Sequence, residues 1–266
     1  MSNRFRIGNQ GGGIGDSLQI TPVFKYFTDG IIEVKDNEQG YKVGRLYEKM
    51  AKVIYLDNPI TQEESFIKYG DINKSHPLRN GALNYLTIYG IENKVSPIPW
   101  VVLADMEVEW AENYLKKYHN PVIVVTSTAA SDRDSNGNHS RCMSRESWQD
   151  IINFYSSTGH QVIHIGSPNN KHSFDNVFRE FDLNVRQAAA CFKVVKKVIT
   201  VDTGLYHLAL AAGAYTKCLV PTFGWGDNYY FPNWSYTPNM FDNECLVEYY
   251  TFDDYRAIFK RPAFTD

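Results

Sequence analysis

The sequence predicts an α/β protein of two lobes, each built around a parallel sheet, and three observations predict it. Short apolar runs rich in β-branched residues alternate with segments of helical period, which is the pattern of strand–helix–strand crossovers. In the second half the runs Val122–Val125, Gln161–Ile165 and Lys197–Val201 are nearly continuous in apolar character. Strands covered on both faces read this way. The chain has 266 residues, more than one hydrophobic core commonly fills, so two modest cores are expected.

Taken in order, Phe5–Ile7 reads as a first strand and the glycine-rich stretch Gly11–Gly15 follows it directly. Ser17–Phe27 has helical character, with Pro22 implying a late start or a kink. Ile31–Val34 and Lys52–Leu56 are strands with a helix, Val43–Ala51, between them, so this half is βαβαβ. The pattern weakens from Asn58 to Val101, where Pro97 and Pro99 flank a boundary and a hinge is expected near residues 95–105. An amphipathic helix over Ala104–Tyr118 opens the second series. Its strands are the three runs above and Lys217–Val220, and its helices are Ser144–Ser157, Phe174–Glu180, Gln187–Val195 and Gly204–Ala212. The expected division is residues 1–100 for the N-terminal lobe and 101–250 for the C-terminal lobe. In the remainder, 251–266, Phe252–Lys260 looks helical and would cross back to the first lobe.

A formal charge of −3 gives the surface no overall field that would gather nucleic acid or anionic lipid. No apolar run reaches the roughly 18 residues of a membrane span, and the start MSNRFRIGNQ has no signal-peptide core, so the chain reads as cytoplasmic. Cys142, Cys191, Cys218 and Cys245 are far apart in sequence, which points to reduced structural thiols and no zinc site.

Two stretches carry chemistry. The first is Gly11-Gly12-Gly13-Ile14-Gly15-Asp16-Ser17, between a strand and a helix. Gly12, Gly13 and Gly15 allow close backbone approach to a ligand, with the amides of a helix N-terminus behind them. No Gly-Lys-Ser/Thr follows, so it is not a P-loop. As a dinucleotide fingerprint it has Asp16 at the third glycine position, where a carboxylate would repel pyrophosphate. Asp16 reads either as a helix N-cap or as a carboxylate facing a cleft and able to take a proton from a hydroxyl.

The second stretch is Thr200-Val201-Asp202-Thr203-Gly204-Leu205-Tyr206-His207, continuing to Gly213. A strand ends in an aspartate that can cap, and the helix it opens has Leu205, Leu208, Ala209 and Ala212 on one stripe, with Gly213 as a left-handed C′ residue. The amides of Thr203, Gly204 and Leu205 form a cradle for a diphosphate. His207 lies beside it and is either a satisfied buried histidine or a donor to phosphate or sugar.

Asp202-Thr203-Gly204-Leu205-Tyr206-His207-Leu208-Ala209 resembles the Asp-Ser/Thr-Gly-x-x-His-x-Ala motif of heptosyltransferases, the glycosyltransferase family 9 group. Gly15-Asp16-Ser17 through Thr21-Pro22 resembles their Gly-Asp-x-x-x-x-Thr-Pro, and Phe223-Gly224 their Phe-Gly. The resemblance implies a GT-B fold: two Rossmann-like lobes facing across a cleft, the N-terminal one shortened, with a nucleotide-sugar donor, ADP-heptose by the family's usual choice, held in the C-terminal lobe. It also implies inversion at the sugar carbon without a metal or other cofactor, with Asp16 as general base. Ser127 and Thr128 would touch the donor phosphates, and Asp202, Thr203, Gly204 and His207 would hold the diphosphate and sugar. Arg141 stands where the family usually has a lysine, and Arg145 is the alternative cation for the leaving group. The family's nucleoside-binding glutamate is replaced in Gly166-Ser167-Pro168-Asn169, where either Asn169 or Asn170 substitutes or the nucleoside differs.

The acceptor is open: a saccharide, a protein side chain, a small molecule or a modified nucleic acid. Closure of the lobes would exclude water and, by burying Asp16, strengthen it as a base. The aromatic run Trp225, Tyr229, Tyr230, Phe231, Trp234 and Tyr236 is either a packing cluster or a surface on which a base or sugar stacks. Two rival readings remain. One is a sugar-nucleotide-binding protein with a degenerate transferase fold. The other is an NAD-dependent oxidoreductase, in which Glu33, about 20 residues after the glycine loop, would bind a ribose.

Overall fold

The structure is a computed structural model that describes residues 6–9, 13–59, 85–87, 89–125, 145–166, 173–195, 197–201, 203–220 and 247–251, with the backbone described at 6–9, 16, 220 and 247–251. The N-terminal part runs β1 (Arg6–Asn9), α1 (Ile14–Gln19), a 3-10 helix (Thr21–Lys25), β2 (Ile31–Lys35), α2 (Glu38–Tyr47) and β3 (Lys52–Leu56). Its strands form a parallel sheet in the order β1-β2-β3. The C-terminal part runs α3 (Asp105–Leu115), β4 (Pro121–Val125), α4 (Arg145–Ser157), β5 (Gln161–Ile165), β6 (Val177–Glu180), α5 (Val185–Val195), β7 (Lys197–Val201), α6 (Gly204–Ala211), β8 (Tyr215–Val220) and β9 (Val247–Thr251). These six strands are parallel throughout, in the order β6-β5-β4-β7-β8-β9. Counted within the sheet, that is the doubly wound order 3-2-1-4-5-6.

Period-two alternation along β4, β5 and β7 distributes this sheet's side chains between two cores. Val122, Val124, Val162, Ile199 and Val201 face Trp148, Ile151 and Ile152 of α4. Ile123, Val125, Ile163, Ile165 and Val198 face the other way, into a core that holds Ala189 and Phe192 of α5 and Leu208 of α6 together with Leu18 and Leu46 of the N-terminal part. The two halves therefore share apolar packing. A third core, with Val23, Phe24, Ile32, Val34 and Tyr47, belongs to the N-terminal sheet.

Several expected boundaries move, for local reasons. α1 begins at Ile14, not Ser17, because the Ser17 amide already donates to Gly13 O at 3.1 Å. Asp16 is consequently the third residue of the helix and not its N-cap. α1 ends before Pro22, whose ring nitrogen has no hydrogen to give Leu18 O. Thr21 Oγ1 donates to that carbonyl instead, at 2.7 Å. α2 starts at Glu38, where Asn37 Oδ1 accepts from the Gly40 amide at 2.7 Å, and stops at Tyr47, before Lys49 takes φ 69°. The helix expected over Phe174–Glu180 is the edge strand β6, and β9 is a strand that the pattern did not announce. At the end of α6, Gly213 has φ 80°, its amide donates to Leu210 O and that of Ala214 to Ala209 O, which completes a Schellman motif.

Among the described residues no helix is long and apolar enough to cross a membrane. Cys191 and Cys218 are buried.

Candidate functional site

In a doubly wound sheet ligands bind outside the carboxyl ends of the strands where the order reverses. That point lies between β4 and β7 here, and α6 starts there, immediately after β7. Thr203 is the N-cap, in extended conformation, in place of the expected Asp202. The first turn closes with Tyr206 N donating to Thr203 O at 3.0 Å, leaving the earlier amides to point outward at the positive end of the helix. The Thr203 side chain makes no capping bond, and its buried Oγ1 has no hydrogen-bond partner among the described residues. This hydroxyl and the neighbouring amides are donors matched to an anion.

α6 is not the amphipathic helix that its stripe suggested. Tyr206, His207, Leu208, Ala209, Leu210 and Ala211 are all buried, as expected of a helix apolar on every side. One side lies on the sheet and another meets α1. The approach is close enough to explain the glycines: a Cβ on Gly15 would stand 2.8 Å from His207 Cδ2 and 3.5 Å from Gly204 Cα. A Cβ on Gly204 would stand 3.0 Å from Ile14 Cβ and 3.2 Å from Gly15 N. Gly15 thus admits a neighbouring helix and a histidine ring, where the sequence suggested room for a ligand. The two segments touch at this level. Gly13 is an exposed loop residue just before α1.

His207 is 6% exposed, its ring lying against Gly15 and beside Tyr206. Leu205 is half-buried against the shared core. Asp16 follows Gly15 in α1. Arg145 is the first residue of α4, and its Nε donates to Ser173 O at 2.9 Å, which ties it to the loop before β6. Gly12, Ser127, Thr128, Arg141 and Asp202 lie outside the described residues, as do Asn169, Asn170, Phe223, Gly224, the aromatic run from Trp225 to Tyr236 and the segment Phe252–Lys260. Glu33 sits in the middle of β2, between Gly8 and Ile54, and is 1% exposed. A ribose-binding acid belongs at a strand's carboxyl end, so this position gives the oxidoreductase reading no support. Among the described residues no three His, Cys, Asp or Glu side chains group as metal ligands.

Sequence reasoning missed the residues that fasten the junction. The expected hinge is a hydrogen-bonded strap: Trp100 N donates to Thr21 Oγ1 at 3.0 Å and Trp100 Nε1 to Thr21 O at 2.6 Å, while Val101 N donates to Ala211 O at 3.1 Å. Successive residues of the strap hold the chain just past the end of α1 and the end of α6. Arg186 is 6% exposed and reaches α2, α3 and the strap. A tryptophan after Pro97 and Pro99 was the one signal in the sequence. An arginine near the start of an alanine-rich helix gave none.

Two Rossmann-like units packed so that the first helix of one meets the helix at the switch point of the other define a GT-B protein. Residues 101–245, more than half of the chain, match the family model described as Glycosyltransferase family 9 (heptosyltransferase); the chain belongs to that family. Solved structures with the same fold include a family 9 glycosyl transferase from Veillonella parvula DSM 2008, at 10% identity and TM-score 0.66 over 97% of this chain and 88% of that one. The E. coli ADP-heptose lps heptosyltransferase II aligns at 11% identity and TM-score 0.57, covering 96% of each chain. E. coli heptosyltransferase WaaC, solved with ADP, aligns at 11% identity and TM-score 0.56 over 96% of this chain and 98% of that one. No curated protein sequence matches significantly.

Proposed function

We propose that this protein transfers a sugar, a heptose in the first instance, from a nucleotide diphosphate sugar to an acceptor hydroxyl, with inversion and without a metal, in the cytoplasm. The observation that carries the reading is the junction of α1 with the opening turn of α6 at the switch point of the six-stranded sheet. ADP-heptose is the preferred donor because ADP and an ADP-heptose analogue occupy the E. coli neighbour's structures.

In this scheme the donor diphosphate lies on the amides of Thr203, Gly204 and Leu205 and on the Thr203 hydroxyl, and the helix dipole offsets the charge that develops as the diphosphate departs. Asp202 and His207 would steady the diphosphate and sugar, Ser127 and Thr128 would meet the phosphates from the far side of the switch point, and Arg141 or Arg145 would add a cation. Asp16 takes the proton from the acceptor hydroxyl as its oxygen attacks the anomeric carbon and the bond to the diphosphate breaks.

Screening nucleotide sugars for thermal stabilisation identifies the donor, since a ligand at 100 times its Kd adds about 2.7 kcal/mol. With the donor in hand, Asp16→Asn should abolish transfer while leaving donor affinity within about threefold, because the carboxylate acts on the acceptor and not on the diphosphate. Wild-type turnover by that variant would remove Asp16 from the chemistry. Failure of every nucleotide sugar to stabilise the protein would remove the donor site.

A further inference from the structure

We propose that Arg186 is a positioning residue: its guanidinium latches the three-stranded unit to the six-stranded one and, through α2 and Tyr47, sets where α1 stands against α6. Nε and Nη2 donate to the two carboxylate oxygens of Glu107 in α3, each at 2.5 Å. Nη2 also donates to Val102 O in the strap at 2.8 Å, and Nη1 to Arg45 O in α2 at 3.0 Å. Glu48, just past α2, lies 3.7 Å from Nε. One side chain of α5 thus holds three other segments. Because α2 ends at Tyr47, Arg45 O is among the last carbonyls of that helix, which have no donor within it. A cation from the other unit supplies one at the negative end of the helix.

The latch reaches the site through one further bond. Two residues after Arg45, the buried Tyr47 hydroxyl donates to Ser17 O in α1 at 2.9 Å. Ser17 follows Asp16 directly. The fork is needed for its shape, because only a planar group with several fixed donors can serve a carboxylate and two carbonyls in different directions, and a lysine ammonium cannot. The halves also share a core around Leu18, Leu46 and Leu208, so the latch adds to apolar packing between the two units.

Hydrogen exchange of the full chain, read by mass spectrometry, tests the latch without substrate. Arg186→Lys should speed exchange of the α1 and α2 amides at least about tenfold while β7 and β8 stay within about twofold. Tyr47→Phe, which removes the bond to Ser17 O, should speed α1 and spare α2. A uniform rise across all elements in both variants would show plain loss of stability and overturn the proposal, as would unchanged exchange of α1. Should Arg186→Lys fail to fold, Tyr47→Phe decides alone. A second arm rests on the transferase reading: with ADP-heptose as donor and water as acceptor, which yields heptose and ADP, Tyr47→Phe should release ADP at least about tenfold more slowly at an ADP Kd within about threefold of wild type, and an unchanged rate would also count against the latch. Wild type that does not bind ADP-heptose sinks that donor assignment, and the exchange arm still judges Arg186.

Discussion

Substituting Gly15 by alanine tests the α1–α6 junction directly. The added Cβ would meet His207 Cδ2 at 2.8 Å, inside any real carbon–carbon contact. Because His207 is buried, its ring has little room to swing away. Overpacking of this kind costs about 1–3 kcal/mol, while alanine in a helix returns at most about 1 kcal/mol relative to glycine. The expected net loss is about 0–2 kcal/mol. Gly204→Ala should cost more, about 2–3 kcal/mol, because its neighbours are Ile14 Cβ at 3.0 Å and Gly15 N at 3.2 Å, atoms that no side-chain rotation can remove. Urea denaturation at neutral pH, with the slope checked for constancy, measures both. A cycle with His207→Ala isolates the cause: once the ring is gone, Gly15→Ala should lose its penalty, giving a coupling of about 1 kcal/mol or more. If Gly15→Ala is stabilising, as helix propensity alone would make it, or if the cycle shows no coupling, the close packing described for the site is wrong.

Three further outcomes follow from single interactions. The Arg186 hydrogen bonds hold the Glu107 carboxyl below its usual 4.5 despite partial burial, so this pair stabilises the fold above that value and the benefit is lost as pH falls through the folded pKa. Glu107→Gln should therefore cost about 2–3 kcal/mol at pH 7, between the figures for exposed and buried pairs, and should flatten the acid limb of a stability-versus-pH curve; an unchanged limb would count against the pair. Gly213→Ala has open space for its Cβ but must keep φ 80°, so it should lose about 1 kcal/mol from backbone strain alone and leave turnover untouched. Burial, and then the hydrogen bond to Glu180, pushes the Tyr114 hydroxyl up to about 12; ultraviolet titration of Glu180→Gln should show this tyrosine ionising closer to 10.0, and no change would mean that Glu180 is not its partner.

The parts of the fold legible in the sequence are those where one local rule decides. Gln161–Ile165 and Lys197–Val201 read correctly because a buried parallel strand is an apolar run whatever surrounds it. Gly213 read correctly because a left-handed C′ residue has few alternatives. β6 did not: it has four residues, Phe178 and Arg179 are exposed, and Glu180 is satisfied by Tyr114, Tyr118 and Lys117 from elsewhere in the chain. A short edge strand completed by distant partners carries no period of its own. For the candidate site, the structure brings Gly15 of the first motif against Gly204 and His207 of the second, but the reason for those glycines was hidden. Gly15 and Gly204 are 189 positions apart, and contact at that separation leaves no trace in the local pattern of either.

The two motifs are better understood as halves of one junction than as separate ligand loops. Pro22 deprives Leu18 O of its helical partner, Thr21 Oγ1 replaces it, and the same threonine receives the Trp100 amide and indole. The next strap residue, Val101, then fastens the far end of α6. At the near end Gly15, Gly204 and His207 interlock. α1 and α6 are thus gripped at both ends, by a glycine contact next to the proposed chemistry and by a threonine–tryptophan bond away from it. Sheets tolerate exchange of one apolar residue for another of similar size, which is how the fold agrees with that of the V. parvula enzyme over 97% of this chain at only 10% identity. A glycine on which a Cβ would stand 2.8 Å from a buried ring and a threonine doing the work of a missing amide hydrogen have no such substitutes. The chemistry proposed for Asp16 and the amides at 203–205 therefore depends on residues that touch neither donor nor acceptor.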